Sequence, residues 1–255
     1  MAKSLASLRT VRAENPPLFV AYGVHGWGKT SLAAEWPDPV FVQCEQGTPG
    51  GAELQSFGEI ETFGDVLDSI GALLTEDHDR KTLVVDSIDA MEPLIWRHVC
   101  EENGWPNIEA PGFGKGYILV DSAWIDFLSG CKALNAAGIA VVLIGHSEVV
   151  RFDSPTTDPY SRYGLKLHKR GAALVQEKAD VVAFCGYRVA VKEKDVGFKK
   201  MVSHAEGGGT RVMHLEERPG FHAKNRYTMP PSLDFAPGKG FSVLSPYFPN
   251  PTGKN

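Results

Sequence analysis

Gly23-Val24-His25-Gly26-Trp27-Gly28-Lys29-Thr30 is the stretch whose reading decides the fold. It matches G-x-x-x-x-G-K-[ST] in full, a pattern in which glycines let the backbone wrap a phosphate with its N–H groups turned inward. PLFVAYG, an apolar run of β propensity, precedes it. A short helix from about Lys29 to Trp36 follows, stopped by Pro37. A strand, a glycine turn and a helix N-terminus in that order form an anion site. Gly23, Gly26, Gly28, Lys29, Thr30 and Ser31 are therefore the candidate nucleotide-binding residues, with ATP and Mg²⁺ as the expected cofactors. Lys29 would meet the β- and γ-phosphates and Thr30 would ligate the metal.

Working outward, PVFVQCE, TLVVDS and GIAVVLIGHS read as further buried strands. Helical spacing marks 63–74, about 91–102, and roughly fifteen residues around Trp124 and Leu128. Apolar strands alternating with helices predict an α/β domain around a mainly parallel sheet. Past residue 180, ADVVAFCGYRVAV and TRVMHLEER lack intervening helices and predict an antiparallel C-terminal extension. Residues 151–170 are polar and basic and read as a mobile loop. The expected division is a lead-in over 1–15, an ATPase domain over 16–235 and a tail over 236–255.

Asp86 ends the apolar run LVVD about 55 residues after the phosphate loop. A carboxylate there sits at the carboxyl edge of the sheet, where it can hold the water shell of Mg²⁺ opposite Thr30. Capping of the next helix is the simpler alternative for Asp86.

The 255 residues carry 43% hydrophobic side chains, enough for a sizeable core. No run approaches 18 apolar residues and the start lacks an apolar signal region, so a cytoplasmic protein without a membrane partner is expected. For a phage-encoded chain that means the bacterial host cytoplasm. Cys44, Cys100, Cys131 and Cys185 are scattered without a CxxC pair, so zinc and redox chemistry are not indicated. The net charge of -5 conceals -12 over residues 1–150 and +7 over 151–255. A dipolar chain of this kind suits an anionic polymer or head-to-tail stacking of copies.

Taken together, GVHGWGKTS, PVFVQCEQG, TLVVDSIDAM and VVLIGHS resemble the RecA-like branch of P-loop ATPases. The chain looks most like small phage proteins built on a RecA core, some of which anneal or pair single-stranded DNA. The likeness runs from about Pro17 to Phe235. It implies a RecA-like P-loop NTPase core in which Glu45, at the end of the second strand, positions the attacking water. It implies His146 at the sensor position, on a strand inserted beside the phosphate-loop strand; bacterial recombinases carry Gln there. It also implies that Lys224 and Arg226 of AKNRY reach the γ-phosphate of a neighbouring subunit. The local alternatives are a solvated loop glutamate, a satisfied polar histidine and a basic pair holding Glu216 or Glu217.

In that family two loops hold single-stranded DNA, and their counterparts here are about 104–117 and 148–170. The first carries Lys115 with Trp105, Phe113 and Tyr117; the second carries Arg151, Arg162, Lys166, Lys169 and Arg170 with Tyr160 and Tyr163. Cations neutralise phosphates while aromatic rings stack on bases. The resemblance thus implies ATP hydrolysis stimulated by single-stranded DNA, in a homo-oligomeric ring or filament, with a single-strand-binding protein as a further partner. Action on protein partners in phage replication or packaging, and phosphoryl transfer to a small molecule, are the alternatives.

Overall fold

The computed structural model describes residues 15–45, 47, 50, 53–195 and 201–249, with side chains over 189–208 left undescribed. Residues 1–14 of the lead-in and 250–255 of the tail lie outside that range.

Every residue of β1 (Leu18–Gly23) is buried, as are all five of β4 (Thr82–Asp86). Strands covered on both faces need continuous apolar runs. β1 pairs in parallel with β5 (Ala140–Phe152), β5 with β4, and β4 with β2 (Pro39–Gln43). A short β3 (Ser56–Glu59) adds to the β2 edge, a strand that the sequence pattern did not disclose. On the other side β1 pairs in parallel with β7 (Val181–Asp195), and β7 pairs antiparallel with β8 (Met201–His214). β8 then pairs antiparallel with β10 (Ser232–Phe235), so the order is β10-β8-β7-β1-β5-β4-β2-β3. The sheet is the expected mainly parallel P-loop ATPase core, and β5 does stand between β1 and β4.

Helices α2 (Phe63–Thr75), α3 (Ile88–Asn103), α4 (Lys115–Ala136) and α5 (Lys169–Lys178) cover one face, where Val20, Tyr22, Trp124 and Val175 share a core. α1 (Lys29–Ala34) and α6 (Gly240–Leu244) lie on the other, with Phe19, Trp27, Leu32, Met213 and Leu244. Local chemistry sets several of these boundaries. Thr62 and Asp65 form a reciprocal capping box at the start of α2. Ser87 accepts from the N–H of Ala90, which starts α3 earlier than its apolar spacing suggests. The Glu35 carboxylate accepts backbone N–H groups of Gly238, Gly240 and Phe241 and ties the chain beyond β10 onto α1.

The expectation of a mobile loop over 151–170 is corrected. β5 runs on past the sheet to Phe152, and β6 (Tyr160–Leu165) returns beside it antiparallel, from Phe152↔Tyr160 to Ser147↔Leu165. The Arg162 guanidinium lies 4.0 Å over the Phe152 ring and pairs with Glu217 at 2.8 Å, which stiffens the hairpin. α5 begins directly afterwards.

Candidate active site

The phosphate loop leaves β1 where side chains have no room. A Cβ on Gly23 would lie 2.0 Å from the carbonyl oxygen of Cys185. Gly26 and Gly28 take φ of 71° and 98°, conformations that glycine adopts without penalty. Trp27, fully buried, anchors the loop from within. Its Nε1–H donates to Gly186 O at 2.7 Å, and its ring stacks on Phe235 at 4.6 Å.

Lys29 is buried with Nζ donating to Gly23 O (3.2 Å) and Val24 O (3.0 Å). Burial lowers its pKa, with Asp86, Asp89 and Glu45 among the groups acting the other way. A buried ammonium held only by carbonyls is poised for a stronger anion. Thr30 donates its hydroxyl to Asp86 Oδ2 at 2.7 Å. Burial raises the Asp86 pKa against the lowering effect of that bond. Both side chains meet in a cavity of about 320 Å³ that Gly26, Gly28, Ser31, Glu45 and His146 also line. Thr30 and the buried Asp86 carboxylate fit a hard divalent cation, which takes oxygen ligands.

His146, at the point where β5 leaves the sheet, is 8% exposed. Its Nδ1 lies 2.9 Å from Asp89 Oδ2, and its backbone N–H donates to Asp89 Oδ1 at 3.0 Å. Burial raises the Asp89 pKa, but the His146 hydrogen bonds and charge together outweigh it, and the net shift is downward. His25 of the phosphate loop stacks on the His146 ring at 3.9 Å, and His146 is the main cause of a lowered His25 pKa. His146 Nε2 faces Glu45 Oε1 at 4.0 Å. Ligand atoms of Glu45, Asp89 and His146 all lie within 4.8 Å of one another. Asp89 thus holds Nδ1 by a hydrogen bond, while Nε2, at 4.0 Å from Glu45, is turned toward that carboxylate without bonding it.

The structure therefore brings together Gly23, Gly26, Gly28, Lys29, Thr30, Ser31, Glu45, Asp86 and His146. It adds Asp89, which the sequence reading passed over although DSID sets two carboxylates three residues apart across a strand–helix junction. It also adds Arg211, on β8, which lines the same cavity.

Lys224 and Arg226 lie elsewhere. β9 (Lys224–Asn225) pairs with Val182 and Val181, at the amino edge of the sheet and opposite the phosphate loop. Both cations point the same way, toward the end of α5. Lys224 Nζ donates to the carbonyls of Gln176 (2.9 Å) and Glu177 (2.8 Å). Arg226 pairs with Asp180 at 2.9 Å and bonds Glu177 O at 3.2 Å. The partners considered from sequence, Glu216 and Glu217, pair instead with Arg218 and Arg162.

The six candidate nucleic-acid cations divide evenly. Arg151 pairs with Asp153 at 2.8 Å, Arg162 with Glu217, and Arg170 with Asp121 through two nitrogens. Lys115, Lys166 and Lys169 are exposed and make no ion pair among the described residues. The backbone N–H of Lys166 donates to His146 O at 2.9 Å, so the basic hairpin is bonded to the backbone of His146. Phe113, 99% exposed, stands at φ 51° between two positive-φ glycines at the tip of the 104–114 loop.

Among known proteins, the chain is 25% identical over 170 residues to the SPbeta prophage-derived protein YorG of Bacillus subtilis (strain 168). That match covers 64% of this chain and 48% of YorG, so the chain spans about half the length of the curated relative it matches. The flagellar accessory protein FlaH from Methanocaldococcus jannaschii aligns over 87% of this chain and 85% of its own, at 11% identity and a TM-score of 0.40. A family model described as an AAA domain matches residues 15–227. With its phosphate loop, Asp86 and parallel core all inside that span, the chain belongs to the AAA domain family of P-loop ATPases.

Proposed function

We propose that this protein hydrolyses ATP in a homo-oligomer, ring or filament, and couples hydrolysis to binding single-stranded DNA in phage-type recombination or annealing. Lys29 and the loop amides would hold the phosphates. Thr30 and, through water, Asp86 would hold Mg²⁺, which neutralises charge on the β- and γ-phosphates. Glu45 would position the attacking water and take its proton. His146, its Nδ1 held by Asp89, would read the γ-phosphate. Lys224 and Arg226, at the far edge of the sheet from their own phosphate loop, would serve a neighbour's site.

The observation that carries the coupling is the bond between Lys166 and His146. A change at His146 on loss of the γ-phosphate is transmitted to a hairpin bearing Arg151, Arg162 and Lys166, beside Lys169 and Arg170. The prophage origin of a relative supports the phage setting. The test is the ATPase rate with and without single-stranded DNA, together with DNA affinity across salt. We expect stimulation, and a log–log salt slope of roughly -0.7 per neutralised phosphate. Replacing Lys166, Lys169 and Lys115 by Ala flattens that slope and leaves ATP affinity unchanged. A protein that ignores DNA at low salt with an ATP analogue bound refutes this reading. The exposed Phe113, Ile118 and Ile125 favour a protein partner as the second reading.

A further inference from the structure

Arg211 has no part in the scheme above, yet its position relative to the phosphate loop is specific. Its Nη1 lies 3.1 Å, and its Cζ 3.7 Å, from where a Cβ on Gly28 would stand. The side chain is half-buried, lines the cavity that holds Lys29, Thr30 and Asp86, and makes no ion pair among the described residues. Its Cζ lies 5.9 Å from the centroid of the Phe235 ring. A half-buried guanidinium without a carboxylate, in a cavity built for an anion, calls for an anionic ligand.

Sheet geometry says which part of the ligand that is. β4 and β8 each stand two strands from β1, on opposite sides. At about 4.8 Å per strand, Asp86 and Arg211 approach the loop from roughly 10 Å to either side. Asp86, Glu45 and His146 mark one side as the metal and γ-phosphate end. A nucleotide lying across the loop then points its other end toward β7 and β8. Tyr187 stands there, directly opposite Arg211 in the β7–β8 register and so on the same face. Tyr187 is 38% exposed, and its hydroxyl donates to Gly26 O at 3.5 Å.

We infer that Arg211 and Tyr187 form the subsite for the non-transferred end of the nucleotide: Arg211 binds the α- and β-phosphates, and the Tyr187 ring packs against the nucleoside. The inference rests on the phosphate-loop reading and deepens it. Arg211 then contributes to binding ATP and ADP alike, and the γ-phosphate is left to the groups on β2, β4 and β5.

Calorimetry with Mg²⁺ and three probes tests this: ADP, a non-hydrolysable ATP analogue, and inorganic tripolyphosphate. Arg211→Met keeps the alkyl stem over Phe235 and removes the charge. We expect it to raise Kd for all three probes about 10- to 100-fold, the scale of a lost charge-assisted hydrogen bond, with the loss of turnover falling on KM rather than kcat. Arg211→Lys recovers part of the affinity. Tyr187→Ala weakens ADP and the ATP analogue about fivefold or more but binds tripolyphosphate like wild type, since that probe has no base. Melting temperatures of all variants establish that they are folded. If Arg211→Met binds ADP normally while Lys29→Ala does not, the subsite is wrong and the phosphate loop stands. A fall in kcat with unchanged ADP affinity directs Arg211 at the γ-phosphate and overturns the inference. A folded wild-type protein that binds none of the probes overturns both.

Discussion

His146 Nδ1 lies 2.9 Å from Asp89 Oδ2, and the same carboxylate accepts the His146 backbone N–H. With Nδ1–H donated to Asp89, Nε2 donates to a phosphate oxygen only when the ring is cationic, and it otherwise accepts. Asp89 thereby holds the orientation of the His146 ring. Asp89→Asn is expected to lower ATP turnover about 10- to 100-fold, with ATP affinity retained. Full turnover in this variant argues against a role for the Asp89–His146 pair.

Glu45 faces this pair at 4.0 Å with no other charged partner among the described residues. Glu45→Gln keeps shape and hydrogen bonding while removing the base. Hydrolysis should drop by about 10²–10⁴ with nucleotide Kd little changed. Unimpaired turnover would transfer the role to another carboxylate, with Asp89 first in line.

Lys29→Ala removes a buried ammonium held only by loop carbonyls, so the fold has little to lose. Nucleotide binding is expected to vanish in equilibrium titrations, and the melting temperature to hold or rise. Wild-type affinity in this variant would sink the phosphate-loop reading.

Glu92, buried in α3, accepts the His168 N–H at 2.9 Å, and burial pushes its pKa up to about 7. The folded chain keeps a proton that the unfolded chain releases from about pH 4.5 upward. The associated stability is full below that pH and is lost as pH rises through 7, on the order of 3 kcal/mol at most. Glu92→Gln should flatten the decline in melting temperature between pH 5 and 8. A decline as steep as wild type would mean that another group carries it.

Arg226 and Asp180 offer a way to separate local bracing from action on a neighbour. Arg226→Ala and Asp180→Asn both break the 2.9 Å pair, but only the first removes the cation. Under the proposed trans role, Arg226→Ala alone is nearly inactive and Asp180→Asn still hydrolyses ATP. Mixing Arg226→Ala with Lys29→Ala subunits should restore part of the activity, since each supplies what the other lacks. Mixtures as inactive as either parent, with co-assembly verified, count against it.

The parallel core was legible because LFVAYG, TLVVD and AVVLIGH are apolar on both faces, a demand peculiar to strands with helices on each side. The hairpin and α5 were not. β6 has no fully buried position before Gly164, pairs along its length with β5, and takes its supports, Glu217 and Phe221, from far along the chain. α5 buries only Gly171 and Val175, too narrow a stripe to register as periodicity. At the site, Gly23 to Thr30, Asp86 and His146 were readable from strand ends. Arg211 follows the phosphate loop by some 180 residues, and only the β8–β7–β1 order carries it back to Gly28. The grouping of Lys224 with Arg226 came from the resemblance, but the α5 carbonyls that receive them belong to a helix that the pattern had hidden.

The anchoring of Trp27 bears on how the chain can be divided. Its indole N–H ends on Gly186 and its ring on Phe235, so the loop that names the family is bolted from behind by strands encoded some 160 to 200 positions later. A fragment ending before Gly186 would contain every residue of the nucleotide motif and lack the wall that the motif leans on. For truncation, fusion or transplantation, the smallest unit that preserves the phosphate loop's shape extends through Phe235, and the antiparallel strands are its foundation rather than an ornament at the sheet's edge.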